Sequence, residues 1–250
     1  MKLFRIFCIL TLLVLSSPAF ADKKIALVTG EDYAPFTDPN LPKDGLATAV
    51  VNAAFKAVGY KTEIFWKPWK RGYIESKNAQ FIGTFPYIPT AERRADFLYS
   101  EPIFTETYVA LSNMSEKADF KLYEDMKGRT ICRPIGYAIA DKFEKFRKAG
   151  EISLFQPSDM QSCLRTITTL KKHVVVLNRQ QFMDHLKKDG VDATQIKVHH
   201  LDEKGFSLHF IVSRRIEDAQ NWIDQFNLGL QSIRTSGLYD NLSQEFGLKP

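Results

Sequence analysis

The 250-residue sequence has no apolar run long enough to cross a bilayer. A spanning helix needs about 20 consecutive apolar residues; the stretch at residues 6–15 is ten long and contains Thr11. Cysteine is scarce, at three in the chain, which excludes a disulfide-dense mini-scaffold. Several short chemical signatures are missing: G-x-S-x-G, G-x-x-x-x-G-K-[S/T], H-E-x-x-H and C-x-x-C do not occur. His199 and His200 are adjacent, so they cannot share a helical face, and a structural or surface role is expected for them rather than a metal site. Nor does one sign of charge dominate. Lys plus Arg number 34 against 29 Asp plus Glu, for a net +5. The bases are interleaved with acids, the pattern of a solvated surface and not of a nucleic-acid-binding one. No 20–50-residue repeat or low-complexity segment occurs. What is present, 44% hydrophobic and 25% charged residues, is ordinary globular composition and excludes disorder, collagen and coiled-coil rods.

The first residues read as a cleavable export signal. Lys2 and Arg5 form a basic start, residues 6–15 an apolar core, and Ser16, Ser17 and Pro18 break it before Ala19-Phe20-Ala21, a small-x-small cleavage site. A ten-residue stretch is too short for a membrane anchor, and Cys8 lies too early for a lipid-attachment cysteine at the cleavage point. Cleavage after Ala21 gives a mature chain of residues 22–250, removes Lys2 and Arg5, and lowers the net charge from +5 to +3. The product is expected to be soluble and exported. Its two cysteines, Cys132 and Cys163, are expected to form a disulfide in that oxidising compartment.

Hydrophobic periodicity predicts two α/β units. Strands are expected at residues 24–29, 61–66, 80–85 and 108–112, and helices at 46–58 and from 68 to before 79. Pro86 and Pro89 are expected to enforce a loop. A second series follows: strands at 129–133, 152–155 and 174–177, helices at 138–148, 158–170 and 180–188. Each series reads β-α-β-α-β, the signature of mostly parallel sheets flanked by helices. A late strand at 207–212 and helices at 216–236 and 238–246 are too small for a domain and are expected to pack back onto the first unit. The domain expectation is a signal peptide at 1–21, a first lobe at 22–109 completed by 208–250, and a second lobe at 110–207. A cleft between two such lobes is a common place for a ligand.

Several segments, in order, carry a resemblance. They are Gly30-Glu31-Asp32-Tyr33-Ala34-Pro35-Phe36, Gly45-Leu46-Ala47-Thr48, Pro68-Trp69-Lys70-Arg71, Gly83-Thr84-Phe85-Pro86-Tyr87, Thr90-Ala91-Glu92-Arg93, Phe97-Leu98-Tyr99-Ser100-Glu101-Pro102, Gly128-Arg129-Thr130-Ile131-Cys132-Arg133-Pro134 with Gly136-Tyr137, and Cys163-Leu164-Arg165. Together they resemble the bacterial periplasmic solute-binding proteins of the amino-acid type, extracellular family 3. The resemblance covers essentially the whole mature chain. It implies two Rossmann-like α/β lobes joined by a two-stranded hinge, a type II periplasmic binding fold that closes on a small ligand. It also implies a periplasmic, monomeric protein without a cofactor that serves a membrane ABC importer and is not an enzyme.

The same resemblance nominates the site. Arg93, three residues after Thr90, matches the family's carboxylate clamp, a job suited to a forked guanidinium. Tyr33 and Trp69 match aromatic positions at the cleft edge, and Arg71 is a weaker candidate beside them. Phe85-Pro86-Tyr87 departs from the small hydroxyl residues usual there, leaving Thr84, Tyr87 and Thr90 to supply polar contacts. Asn178 stands where many members carry an aspartate that pairs with a ligand's ammonium; Leu170 and His173 also depart from the usual junction. A neutral amide lacks the charge-assisted attraction, so a carboxylate ligand without an ammonium is a second possibility. Gly136 and Tyr137 are expected before a helix starting at Ala138, whose free N–H groups could hold a second anionic group. Two other functions stay open: an exported enzyme on the same fold, with Glu31, Asp32, Glu92 and Glu106 the nearby carboxylates, and a ligand-sensing module for a membrane receptor.

Overall fold

The computed structural model describes residues 23–188, 190–202 and 205–248; the expected leader at 1–21 lies outside them. The chain opens with β1 (Lys23–Thr29), α1 (Leu46–Ala57), β2 (Tyr60–Trp66), α2 (Trp69–Lys77), β3 (Gly83–Tyr87), α3 (Ala91–Asp96) and β4 (Phe97–Glu106). It continues with β5 (Tyr108–Asn113), β6 (Thr130–Cys132), α4 (Asp141–Lys148), β7 (Ser153–Phe155), α5 (Met160–Thr169), β8 (His173–Asn178), α6 (Arg179–Lys188) and β9 (Ile196–His200). The last elements are β10 (Phe206–Ser213), α7 (Ala219–Thr235) and α8 (Leu238–Glu245). Two five-stranded sheets result, in the orders β2-β1-β3-β10-β4 and β7-β6-β8-β5-β9. β1 pairs in parallel with β2 and β3, as the βαβ pattern requires, while β10 runs antiparallel between β3 and β4. Tyr108 pairs with Asn178, so the second sheet begins there, and Phe206 pairs with Glu106 as β10 re-enters the first.

The first core explains why the chain's end returns to its beginning. α1 offers Leu46, Val50, Val51, Ala54 and Phe55, all fully buried, and α7 supplies Phe226 and Leu230 against them. Phe55, Phe210 and Phe226 meet with ring centroids 4.8–5.4 Å apart. Burying a phenylalanine ring contributes about 1.5–3 kcal/mol. The helices approach so closely that a Cβ on Gly229 would fall 2.0 Å from the Ala54 carbonyl. In the second lobe Cys132 and Cys163 are disulfide-bonded with Cα atoms 5.5 Å apart, tying β6 to α5.

Four local expectations are corrected. β3 runs through Pro86 instead of ending before it; the proline's missing donor falls where the β3–β10 register shifts between His209 and Ile211, the kind of irregularity that tolerates proline. β4 is a ten-residue strand where no strand was expected, because Glu101 and Pro102 break its alternation; its register against β10 shifts twice. α4 starts at Asp141, not Ala138, so Gly136 and Tyr137 belong to a loop and no helix N-terminus adjoins them. β9 escaped notice because Lys197, His199 and His200 read as polar and leave only Ile196 and Val198 as apolar residues. It is an edge strand whose buried His199 accepts from the Phe120 N–H at 3.1 Å and bonds the Ser112 hydroxyl at 2.8 Å. His200 is exposed, so the pair has structural and surface positions as expected.

Candidate functional site

Between the lobes, Tyr33, Trp69, Tyr87, Arg93, Gly136 and Tyr137 line one inner hollow of about 40 Å³. Each is held there by its element. Trp69 opens α2 behind Pro68, and its indole N–H donates to the Glu31 carbonyl at 2.9 Å. Tyr87 ends β3, 2% exposed, with its ring 5.8 Å from Trp69. Thr90 caps α3 by accepting from the Arg93 N–H at 3.2 Å, the usual task of an N-cap threonine. That cap aims Arg93 over the Tyr87 ring, 4.8 Å from its centroid, a cation–π geometry.

Arg93 then bridges the lobes. Its Nη1 donates to the Ile88 carbonyl at 3.3 Å and its Nη2 to the Gly136 carbonyl at 3.2 Å. Both acceptors are neutral and no carboxylate pairs with it among the described residues. Gly136 has φ +89°, and a Cβ there would meet the Lys70 nitrogen at 2.7 Å. Glycine is therefore required twice, for the left-handed backbone and for the approach of this loop to α2.

Further bonds cross the cleft. The Tyr137 hydroxyl donates to the Asp32 carbonyl at 2.9 Å and accepts from Gln181 Nε2 at 3.4 Å. Asn178 is fully buried; its Oδ1 accepts from the Gln181 N–H at 2.7 Å and its Nδ2 donates to the Tyr33 hydroxyl at 3.3 Å. The Asp141 carboxylate accepts from the Ala91 N–H at 3.2 Å. Burial, reinforced by Tyr108 and Tyr137, holds the Tyr33 hydroxyl well above the ordinary phenol range; burial and then Asp32 raise that of Tyr137. Both rings thus stay protonated and offer donors.

Three nominated residues are placed elsewhere. Arg71 is 66% exposed and donates to Glu75 one helical turn on at 2.7 Å. Thr84 is fully buried within β3, where it pairs with Val28 and Ile211. Thr90 lies at the edge of a neighbouring cavity, its hydroxyl engaged in the cap. The four carboxylates considered for catalysis are not gathered. Glu31 and Asp32 border one outer groove and Glu92 another. Glu106 ends β4 at the crossing to the second lobe, where burial pushes its carboxyl up to about 7.

Sequence reasoning missed Arg133. It follows β6, is 9% exposed, and lines the inner hollow from the second lobe. Its signal was an arginine closing a run of buried residues, Ile131 and Cys132.

No family model matches the chain, and no curated protein does. Solved structures do. A structure from work on glutathione import via GshT and the cystine ABC importer TcyBC of Streptococcus mutans has 21% identity, covers 91% of this chain and 96% of its own, and gives a TM-score of 0.74. The arginine-, lysine-, histidine-binding protein ArtJ from Geobacillus stearothermophilus has 19% identity, 91% and 97% coverage, and a TM-score of 0.72. A histidine kinase sensor domain with similarity to periplasmic binding proteins has 15% identity, 92% and 99% coverage, and a TM-score of 0.76. The fold is the two-lobed periplasmic binding fold. At these identities the likeness is one of architecture, and the side chains of the cleft are this chain's own.

Proposed function

We propose that this protein is an exported, monomeric solute-binding protein that closes its two lobes on a small carboxylate-bearing ligand and delivers it to a membrane ABC importer. The observation that carries the reading is Arg93: a guanidinium in the cleft, over the Tyr87 ring, bonded among the described residues to neutral carbonyls, and reaching the opposing lobe at Gly136. A carboxylate satisfies such a fork bidentately. Tyr33, Trp69, Tyr87 and Tyr137 wall the ligand, and Gly136, Tyr137 and Asn178 supply the second lobe's side of the closure. Thr90 positions Arg93 through its cap, Thr84 supports β3, and Arg71 stays on the surface. Two crossings, near residue 107 and before Phe206, form the hinge. ArtJ and the glutathione-import structure support a transport role. A sensing role for a membrane receptor is the second reading, favoured by the likeness to a histidine kinase sensor domain. Binding rather than catalysis accords with the separation of the Glu31–Asp32 pair, Glu92 and Glu106 from one another.

Thermal denaturation of mature protein against amino acids, di-acids, aromatic acids and polyamines tests the reading. A carboxylate at 100 times its dissociation constant stabilises by about 2.7 kcal/mol. Stabilisation by polyamines alone contradicts a carboxylate site, and mass-spectrometric turnover of a stabilising compound contradicts a non-enzymatic one.

A further inference from the structure

Arg133 is a buried cation whose hydrogen-bond partners are neutral. Its Nε donates to the Ala138 carbonyl at 2.8 Å, its Nη1 to the Val176 carbonyl, and its Nη2 reaches the Tyr108 hydroxyl at a long 3.5 Å. Among the described residues no carboxylate pairs with it. A guanidinium keeps its charge and has five N–H donors to satisfy, and a buried charge ordinarily has a counter-charge. The group lies between two rings, 5.4 Å from the Tyr137 centroid and 5.8 Å from that of Tyr108. Those rings face different spaces. Tyr137 lines the inner hollow of the cleft, while Tyr108 lines a separate cavity of about 140 Å³. Arg133 lines both.

The second space is mostly apolar, with Thr90, Arg133 and the Asp141 carboxylate, which accepts from the Ala91 N–H, on its rim. Ile131, Phe143, Leu154 and Val176 of the second lobe form its walls, and Ile88 and Phe206 close it from the first-lobe side. An apolar cavity of about 150 Å³ accommodates a benzene ring. A fixed cation thus stands where the aromatic-walled hollow that holds Arg93 meets a ring-sized, mostly apolar cavity, and closure of the lobes completes that cavity.

We propose that this cavity is a subsite for an apolar ring, so that the ligand is a small carboxylate bearing an aryl or cycloalkyl group, its carboxylate shared between Arg93 and Arg133. The proposal rests on the carboxylate-binding reading above and narrows it. It also gives Asn178 a place: both ends of its amide are engaged with Tyr33 and Gln181, and a ring-bearing carboxylate without an α-ammonium leaves nothing for an acid at that position to pair with.

The test is a thermal-shift and calorimetric comparison on mature protein. Phenylacetate, cyclohexylacetate and 3-phenylpropionate form one set; acetate, alanine, glutamate and succinate form the other. The ring-bearing set is expected to give the larger shifts in Tm at equal concentration. Ala140 lines the cavity but not the inner hollow, so Ala140→Leu is expected to fill the subsite. It should raise the dissociation constant of the ring-bearing set at least tenfold with the unliganded Tm kept. Leu154→Phe, on the edge strand β7, provides the same test if Ala140→Leu does not fold. Binding of succinate, glutamate or alanine without binding of the ring-bearing set overturns the subsite and leaves the carboxylate reading intact. Undiminished binding of the ring-bearing set by a folded cavity-filled variant also overturns the subsite. Absence of any carboxylate binding overturns both.

Discussion

Glu106 sits at the last position of β4, beside the crossing into the second lobe, with burial as the cause of its raised carboxyl. Its charge is felt by the hydroxyls of Tyr33, Tyr108 and Tyr239. In the unfolded chain a glutamate titrates near 4.3, whereas in the fold this one titrates at about 7. Below both values the folded and unfolded states bind the same proton and the residue costs nothing. Between them the folded state holds the extra proton, so stability falls as pH rises, and above about 7 the whole desolvation cost is felt. His199 and His209 act in the opposite sense, since burial lowers their basicity and their contribution is lost as pH falls. The cleanest readout is therefore a difference between proteins. Glu106→Gln is expected to melt higher than wild type at pH 8, by a few degrees, and at nearly the same temperature at pH 4. Equal melting temperatures at pH 8 would show that the carboxylate is solvated.

At the scale of elements, the disulfide does more than close a loop. It fixes β6 against α5, and β6 delivers Arg133 and the 134–140 segment to the cleft. In the chain-entropy view, a cross-link over 31 residues stabilises by about 3.5 kcal/mol. Denaturant unfolding with and without reductant is expected to differ by that order, and an unchanged midpoint would contradict it. The elements also show where the sequence was legible. Strands buried on both faces, such as β1 and β8, and helices with a regular apolar stripe, such as α1 and α7, read directly from periodicity. β4 and β9 did not, because a bulged strand and an edge strand lose the alternation that reveals them. The start of α4 was misplaced because Ala138, Ile139 and Ala140 continue an apolar helical pattern while packing as a loop. In the site, Arg93 after Thr90, and Tyr33, Trp69 and Tyr137, were nominated through the family resemblance, and the fold brings Arg93, Tyr33, Trp69 and Tyr137 to one hollow. Arg133 was not visible, since its importance comes from what three distant segments place around it.

At the scale of the whole molecule, the described residues form two five-stranded sheets, and Tyr108 and Phe206 stack with ring centroids 3.7 Å apart. Among the described residues, polar bonds between the lobes include Arg93 to Gly136, Tyr137 to Asp32, Asn178 to Tyr33 and Ala91 to Asp141. Net contributions of about 1 kcal/mol each make opening accessible, and a ligand that touches both lobes shifts the balance toward closure. A globule of 229 residues, the expected mature length, has a radius of gyration of about 17 Å. Solution scattering is expected to show a decrease when a binding carboxylate is added; an unchanged radius would speak against a hinge. The central claim is that Arg93 clamps a carboxylate between the lobes, and paired titration calorimetry tests it most directly. The same carboxylate is titrated into wild type and into Arg93→Ala, whose unliganded Tm serves as the control for folding. The account predicts saturable binding to wild type and a loss of affinity of at least tenfold in the folded variant. Equal affinity for both proteins would contradict it.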